Sequence, residues 1–284
     1  MIKLGVHVSI AGGLTAAVER AHSLKCTAFQ IFLRNPRSFQ VKEYPQDEIK
    51  DFKAQCKKAR ISMIVAHCVY TQNLISSSRK VHDFSVQEFI QDACEAGKLG
   101  IPYIVTHTGS YKGSSPAQGL ERLIESLKSI LDRIPPEVTV LLENSASSTN
   151  SLGYRLEELA AVFEKLKTRQ NIGLCLDTCH MFAAGYDIRK KEVVETVVKE
   201  INSTIGMHRL KVIHLNDSKF DIGTFKDRHQ HIGKGKIGLV GIKNVLGQKE
   251  FSRAVFILET PKDAEEDDAK NLSVVRKVYK QCTS

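Results

Sequence analysis

The sequence predicts a single α/β domain over residues 1–284, an eight-fold barrel of alternating strands and helices, the TIM (β/α)8 architecture. Three observations predict it. Eight short apolar runs recur along the chain, amphipathic helical patterns lie between them, and the length divides into units of about 35 residues, a comfortable strand–helix repeat.

The runs are 4–8, 28–33, 61–66, 103–106, 138–142, 173–176, 210–213 and 254–258. They are nearly continuous in apolar residues rather than alternating, as expected of parallel strands covered on both faces. The helical patterns are 47–60, 86–100, 119–134, 155–167 and 192–205. The clearest carries Leu120, Leu123, Ile124, Leu127, Ile130, Leu131 and Ile134 at spacings of three and four, before Pro135-Pro136 stops it. An open doubly wound sheet is the competing architecture. It calls for a glycine-rich phosphate loop after a strand, and Gly12-Gly13 comes too late and without the required spacing.

Composition excludes several classes. Apolar residues make up 42% and charged residues 26% of the 284, ordinary for a globular protein. There is no apolar run of about 18 residues to span a membrane and no signal-peptide pattern at Met1–Gly5, so a cytoplasmic, nucleoid-associated location is expected. Seven cysteines without a CxxC pair suit reduced thiols rather than a disulfide framework. A net charge of +9 favours a polyanionic partner through counterion release. No apolar interface patch is readable, so a monomer is expected.

The residues that close the runs carry the chemistry. The third run is followed by His67, the fourth by His107, the fifth by Glu143, the sixth by Asp177, the seventh by His214 and the eighth by Glu259. In a closed barrel these side chains converge at the C-terminal rim, where active sites of this architecture lie. Carboxylates crowded there would repel one another and take up protons unless cations stood between them. Imidazole with carboxylate suits Zn²⁺, Mn²⁺ or Fe²⁺ better than Mg²⁺ or Ca²⁺. Two further motifs add ligands. Asp177-Thr178-Cys179-His180 sets His180 three residues past a strand-end carboxylate, and Asp227-Arg228-His229 sets two ligand types two apart on an extended loop. Nine candidates exceed what one ion needs and point to more than one, up to three if some ligands bridge. His7 is expected to support the site by a hydrogen bond rather than as a ligand. His22, His82 and His208 are expected to be exposed, and His231 to point away from the cluster.

At these residues the sequence resembles the endonuclease IV family of apurinic/apyrimidinic endonucleases, along essentially the whole chain. The resemblance rests on 5–13 (Gly-Val-His-Val-Ser-Ile-Ala-Gly-Gly), on 29–37 ending Arg34-Asn35-Pro36-Arg37, and on Glu143-Asn144. It continues through 173–187 with Asp-Thr-Cys-His, 214–219 with Asn-Asp-Ser-Lys, Asp227-Arg228-His229, the Ile-Gly-Lys-Gly-Lys-Ile-Gly run at 232–238, and Glu259-Thr260-Pro261. It implies a zinc-dependent hydrolase of base excision repair with three Zn²⁺, Mn²⁺ or Fe²⁺ being possible at some sites. The reaction implied is cleavage 5′ to an abasic site in double-stranded DNA, leaving a 3′-hydroxyl, with 3′-end trimming as an accompanying activity.

Carried onto this chain, the resemblance implies that His67 and His107 hold one zinc with Glu143 bridging to the next, that Asp177, His214 and Glu259 complete the second, and that His180, Asp227 and His229 hold the third. Glu143 is also expected to orient the attacking water, a catalytic role. Arg37 and Tyr70 match positions that insert into or stack within the damaged duplex. Two departures stand out: Thr71 replaces a leucine wedge, and Thr108 replaces a usual proline. Two other readings compete, a metal-dependent sugar-phosphate isomerase or epimerase on the same barrel and a non-catalytic DNA-binding relative. The Asp227/His229 pair stands against the first and the intact ligand set against the second.

Overall fold

The structure is a computed structural model, and it describes residues 2–35, 42–69, 71–147 and 149–283. Its main sheet has eight strands: β1 (Lys3–Val6), β2 (Ala28–Phe32), β3 (Met63–His67), β4 (Tyr103–His107), β5 (Thr139–Glu143), β6 (Ile172–Asp177), β7 (Leu210–His214) and β10 (Val255–Leu258). Each pairs in parallel with the next around a nearly closed barrel, with β10 between β7 and β1. A separate two-stranded antiparallel ribbon joins β8 (Asp217–Ser218) to β9 (His229–Gln230).

The seam between β1 and β2 decides closed barrel against open sheet. There the Thr27 N–H donates to the Leu4 carbonyl at 3.0 Å and the Val8 N–H to the Gln30 carbonyl at 2.8 Å. The close approach requires glycine at position 5, because a Cβ on Gly5 would stand 1.7 Å from the carbonyl oxygen of Ala28.

The strands run one residue further than the apolar pattern at five ends. His67, His107, Glu143, Asp177 and His214 are the last residues of their strands. The third strand also begins later than expected, because the Ile61 N–H closes the preceding helix on the Cys56 carbonyl. Nine helices are described: α1 (Leu14–Ser23), α2 (Gln46–Lys58), α3 (Arg79–Leu99), α4 (Pro116–Leu131), α5 (Leu156–Lys165), α6 (Thr178–Ala183), α7 (Lys191–Thr204), α8 (Gly238–Leu246) and α9 (Asp267–Thr283). The helix expected over 119–134 starts earlier, at a Ser115–Gln118 capping box with Pro116 in its first turn, and ends at Leu131. Its carboxyl end is set by a turn before the proline pair.

Inside the barrel, Ala28, Val65, Val105, Leu141, Cys175, Val212 and Ile257 form a small cluster of their own. Two residues further along each strand, on the same inward face, stand Gln30, His67, His107, Glu143, Asp177, His214 and Glu259. Val255, Met63 and Tyr103 pack beneath this cluster, so the barrel is apolar up to the level where the polar layer begins.

Candidate metal centre

Glu143 sits at the middle of the polar layer and divides its oxygens between two groups. Its Oε2 lies 3.2 Å from His67 Nε2 and 3.4 Å from His107 Nδ1, while its Oε1 lies 2.7 Å from His214 Nδ1. His214 Nδ1 is also 3.3 Å from Glu259 Oε2 and 3.9 Å from Asp177 Oδ2. Beside them, His180 Nε2 and His229 Nε2 approach the two oxygens of Asp227 at 3.2 and 3.3 Å, and His229 Nε2 stands 3.7 Å from Asp177 Oδ2. All nine residues expected as ligands therefore meet in one continuous cluster. Asp227 stands at its open edge, its side chain half-exposed.

The ring nitrogens facing away from the cluster fix its tautomers. A carbonyl oxygen only accepts, so His67 Nδ1 donates to the Cys68 carbonyl at 2.7 Å. For the same reason His180 Nδ1 donates to Asn144 at 2.9 Å and His229 Nδ1 to Glu259 at 2.8 Å. In the neutral ring each Nε2 then turns a lone pair inward, the arrangement seen in metal-ligating histidines. The carboxylates are held as firmly. Asp177 caps α6 by accepting the His180 N–H at 2.8 Å, and Asn216 donates to its Oδ2 at 2.6 Å. The Asn216 amide also accepts the Glu259 N–H at 2.8 Å, and the Asn144 amide accepts the Asp177 N–H at 2.6 Å.

Electrostatics follow from this crowding. Burial works against charging His67 and His180. It is outweighed by the Cys68 carbonyl and Glu143 at His67, and by Asp177, Asp227 and Glu143 at His180, so both rings hold protons well above the usual histidine range. His214 is raised too, Glu259 and Glu143 overcoming its burial. Burial of Glu143 favours its neutral form, yet His107 and His214 hold it well below the usual carboxylate range, and His214 does the same for Glu259. Positive charge is what this cluster lacks.

The donor set fits a metal ion. His67, His107 and Glu143 offer one group of donors, Glu143, Asp177, His214 and Glu259 a second, and His180, Asp227 and His229 a third, each within 4.8 Å of one another. Among the described residues the buried Nε2 atoms of His180 and His229 have no hydrogen-bond partner, as a ligand nitrogen kept free of protons would not.

Several supporting residues were not foreseen. Gln30 is completely buried and touches His7, His214 and Glu259. A lone polar residue in the apolar run 28–33, in phase with the strand-end ligands, was its signal. Asp217 is also completely buried and accepts N–H groups from Ser218, Gly233, Gly235, Ile237 and Gly238 between 2.8 and 3.2 Å. The Gly-rich run 232–238 is thus a cradle for a carboxylate of the chain itself, and it braces the ribbon that carries His229. A Cβ on Gly235 would stand 2.3 Å from Asp217 Oδ1.

Of the remaining histidines, His22 and His208 are exposed, whereas His82 is half-buried, its Nε2 2.7 Å from the Ser126 hydroxyl. His231 turns to Asn271 at 3.1 Å. Thr108 is buried and donates its hydroxyl to the Leu152 carbonyl at 2.6 Å, tying the loops after β4 and β5 together. Arg37 and Tyr70 lie outside the described residues. Both flanks are tethered to Asp92: Arg34 reaches it in a bidentate pair at 3.1–3.3 Å and Gln72 at 2.9 Å.

Among the described residues, no helix is long and apolar enough to cross a membrane.

Residues 18–278 match the family described as xylose isomerase-like TIM barrel. A probable endonuclease 4 of Methanoculleus marisnigri is 38% identical over 279 residues, covering 98% of this chain and 99% of the relative. One of Nitrosopumilus maritimus is 37% identical over 273 residues, covering 95% and 98%. The crystal structure of endonuclease IV from Thermus thermophilus superposes with a TM-score of 0.88 at 34% identity, covering 98% of this chain and 99% of that one. A D-tagatose 3-epimerase-like protein (TM-score 0.75, 20% identity, 98% of both chains) shares the fold alone. The chain belongs to the endonuclease IV family, on a xylose isomerase-like TIM barrel.

Proposed function

We propose that this enzyme hydrolyses the phosphodiester 5′ to an abasic site in duplex DNA, leaving a 3′-hydroxyl, with three zinc ions in the rim cluster. The observation that carries the reading is the third donor group, His180, Asp227 and His229, set beside the two that share Glu143. When bound, such ions supply an activated water and neutralise charge on the phosphate. The chain's own residues do the rest. Glu143, reaching both inner groups, orients the attacking water. Asp227 stands at the open edge, where a phosphate can approach.

Charge supports a DNA partner. Lys219, Lys226, Arg228, Lys234 and Lys236 are all exposed on the loops around the third donor group, flanking the half-exposed Asp227. Cations there meet a phosphate backbone and release its counterions. A cleft of about 620 Å³ opens next to His7, with Arg34 and Lys262 in its wall. By resemblance, Arg37 and Tyr70 contact the damaged duplex. Flipping an abasic nucleotide costs least because no base must be unstacked.

The test is a duplex carrying one tetrahydrofuran abasic analogue, incubated with nanomolar enzyme of measured metal content. Incision immediately 5′ to the analogue, with a 3′-hydroxyl product that a polymerase extends, is expected. Arg37→Ala is expected to weaken binding of that duplex and leave the metal content unchanged. Intact duplex after prolonged incubation of the metal-loaded enzyme overturns the proposal.

A further inference from the structure

We infer that Gln30 is a positioning residue of the metal centre, selecting which nitrogen of His214 faces the cluster and which oxygen of Glu259 is left for a cation. The inference rests on the metal reading above and adds to it a residue outside the ligand set.

The argument is one of valence. Gln30 has one amide, and it meets three partners. Its Nε2 lies 2.7 Å from Glu259 Oε1 and 3.0 Å from His7 Nδ1, and its Oε1 lies 2.8 Å from His214 Nε2. The carboxylate oxygen of Glu259 can only accept, so the amide nitrogen must face it. The amide oxygen is then left to face His214 Nε2, which must donate. The second amide N–H points at His7 Nδ1, which accepts in its neutral ring.

The consequence falls on the opposite side of His214. With its proton on Nε2, the neutral ring turns the Nδ1 lone pair toward oxygens of Glu143, Glu259 and Asp177 at 2.7, 3.3 and 3.9 Å. A lone pair facing three carboxylate oxygens is a favourable arrangement only around a cation. His214 is also the exception among the rim histidines with a described outward bond. His67, His180 and His229 send Nδ1 outward to backbone carbonyls, whereas His214 sends Nε2 outward, to a side chain. No carbonyl performs the task there, so the orientation depends on residue 30. Glu259 is held by the same amide: Oε1 is engaged, and Oε2 faces His214 Nδ1.

The test uses Gln30→Met, which keeps the length and removes both polar functions. Metal per chain is counted by mass spectrometry, affinity is read by chelator competition, and the His214 tautomer is read from long-range ¹H–¹⁵N spectra of the zinc-loaded protein. The wild type is expected to bind its ions with His214 protonated at Nε2 only. Gln30→Met is expected to hold the second-group ion about 10- to 100-fold more weakly, the scale of removing a residue that orients a ligand, while the His180/Asp227/His229 ion is retained. If the wild type binds no ions, the metal reading itself fails. If the wild type binds them and Gln30→Met matches it in count, affinity and tautomer, only the role of Gln30 is overturned. Should Gln30→Met not fold, Gln30→Glu is read for the tautomer, since it keeps an acceptor facing His214. Retention of the Nε2 proton supports the inference, and its loss overturns it.

Discussion

His229 turns its Nε2 to within 3.3 Å of Asp227 Oδ1, from the second strand of a two-stranded ribbon outside the barrel. The third donor group is therefore assembled from outside the sheet that supplies the other two. His229→Ala is expected to lose one ion of three and to depress incision at least about 100-fold, while binding of abasic duplex changes little. Metal content and incision rate measured on the same preparation check it; unchanged incision with one ion fewer contradicts the assignment.

The metal-dependent stability should grow with pH. His67, His180 and His214 hold protons above their ordinary range, so their charge stabilises the metal-free fold below about pH 6.5, and that stabilisation fades as pH rises through the raised values. Glu143 and Glu259 are depressed, so their contribution is present above the usual carboxylate range and is lost only in acid. At alkaline pH the metal-free rim thus keeps its carboxylates and loses the imidazolium charge. Metal binding takes over that role and releases protons. The zinc-induced rise in melting temperature is predicted to be larger at about pH 8.5 than at about pH 5.5, on either side of the ordinary histidine range; the reverse order would contradict this.

Asp217→Asn should be costly although no substrate touches it. The carboxylate accepts five backbone N–H groups, and an amide would turn an N–H toward some of them. A loss of about 2–4 kcal/mol is expected, with weakened retention of the third ion because the ribbon loosens. Urea melts and metal counts measure both.

Gly5→Ala should disrupt barrel closure. The added methyl would meet the Ala28 carbonyl at 1.7 Å, backbone that cannot yield locally. Destabilisation of about 3 kcal/mol or more is expected, or failure to fold. Gly185→Ala is the control, with a positive φ of 108° but nothing within 4 Å of the new methyl, and it should cost only about 1–3 kcal/mol of backbone strain. Equal melting temperatures for the two variants would remove the seam argument.

The six strand-end candidate ligands were legible because inward residues of a strand recur every second position and six strands end in phase. Gln30 obeys the same rule, but a single amide inside an apolar run carries no charge and draws no attention by composition. The helix α1 was missed because its buried face, Leu14, Ala17, Val18 and Ala21, is made largely of small residues behind a glycine pair. The role of Asp217 was hidden for a different reason. Four of its five partners are backbone N–H groups of a loop some 16 to 21 residues away, and backbone donors leave no mark on side-chain identity.

The central claim is that three ions in this rim cut DNA at abasic sites. It is tested most directly by adding zinc stepwise to chelator-stripped enzyme while counting bound ions and following incision of a tetrahydrofuran-containing duplex. The account predicts that incision stays low through the second bound ion and rises steeply with the third. Full activity at one bound ion, or no incision at three, would contradict it.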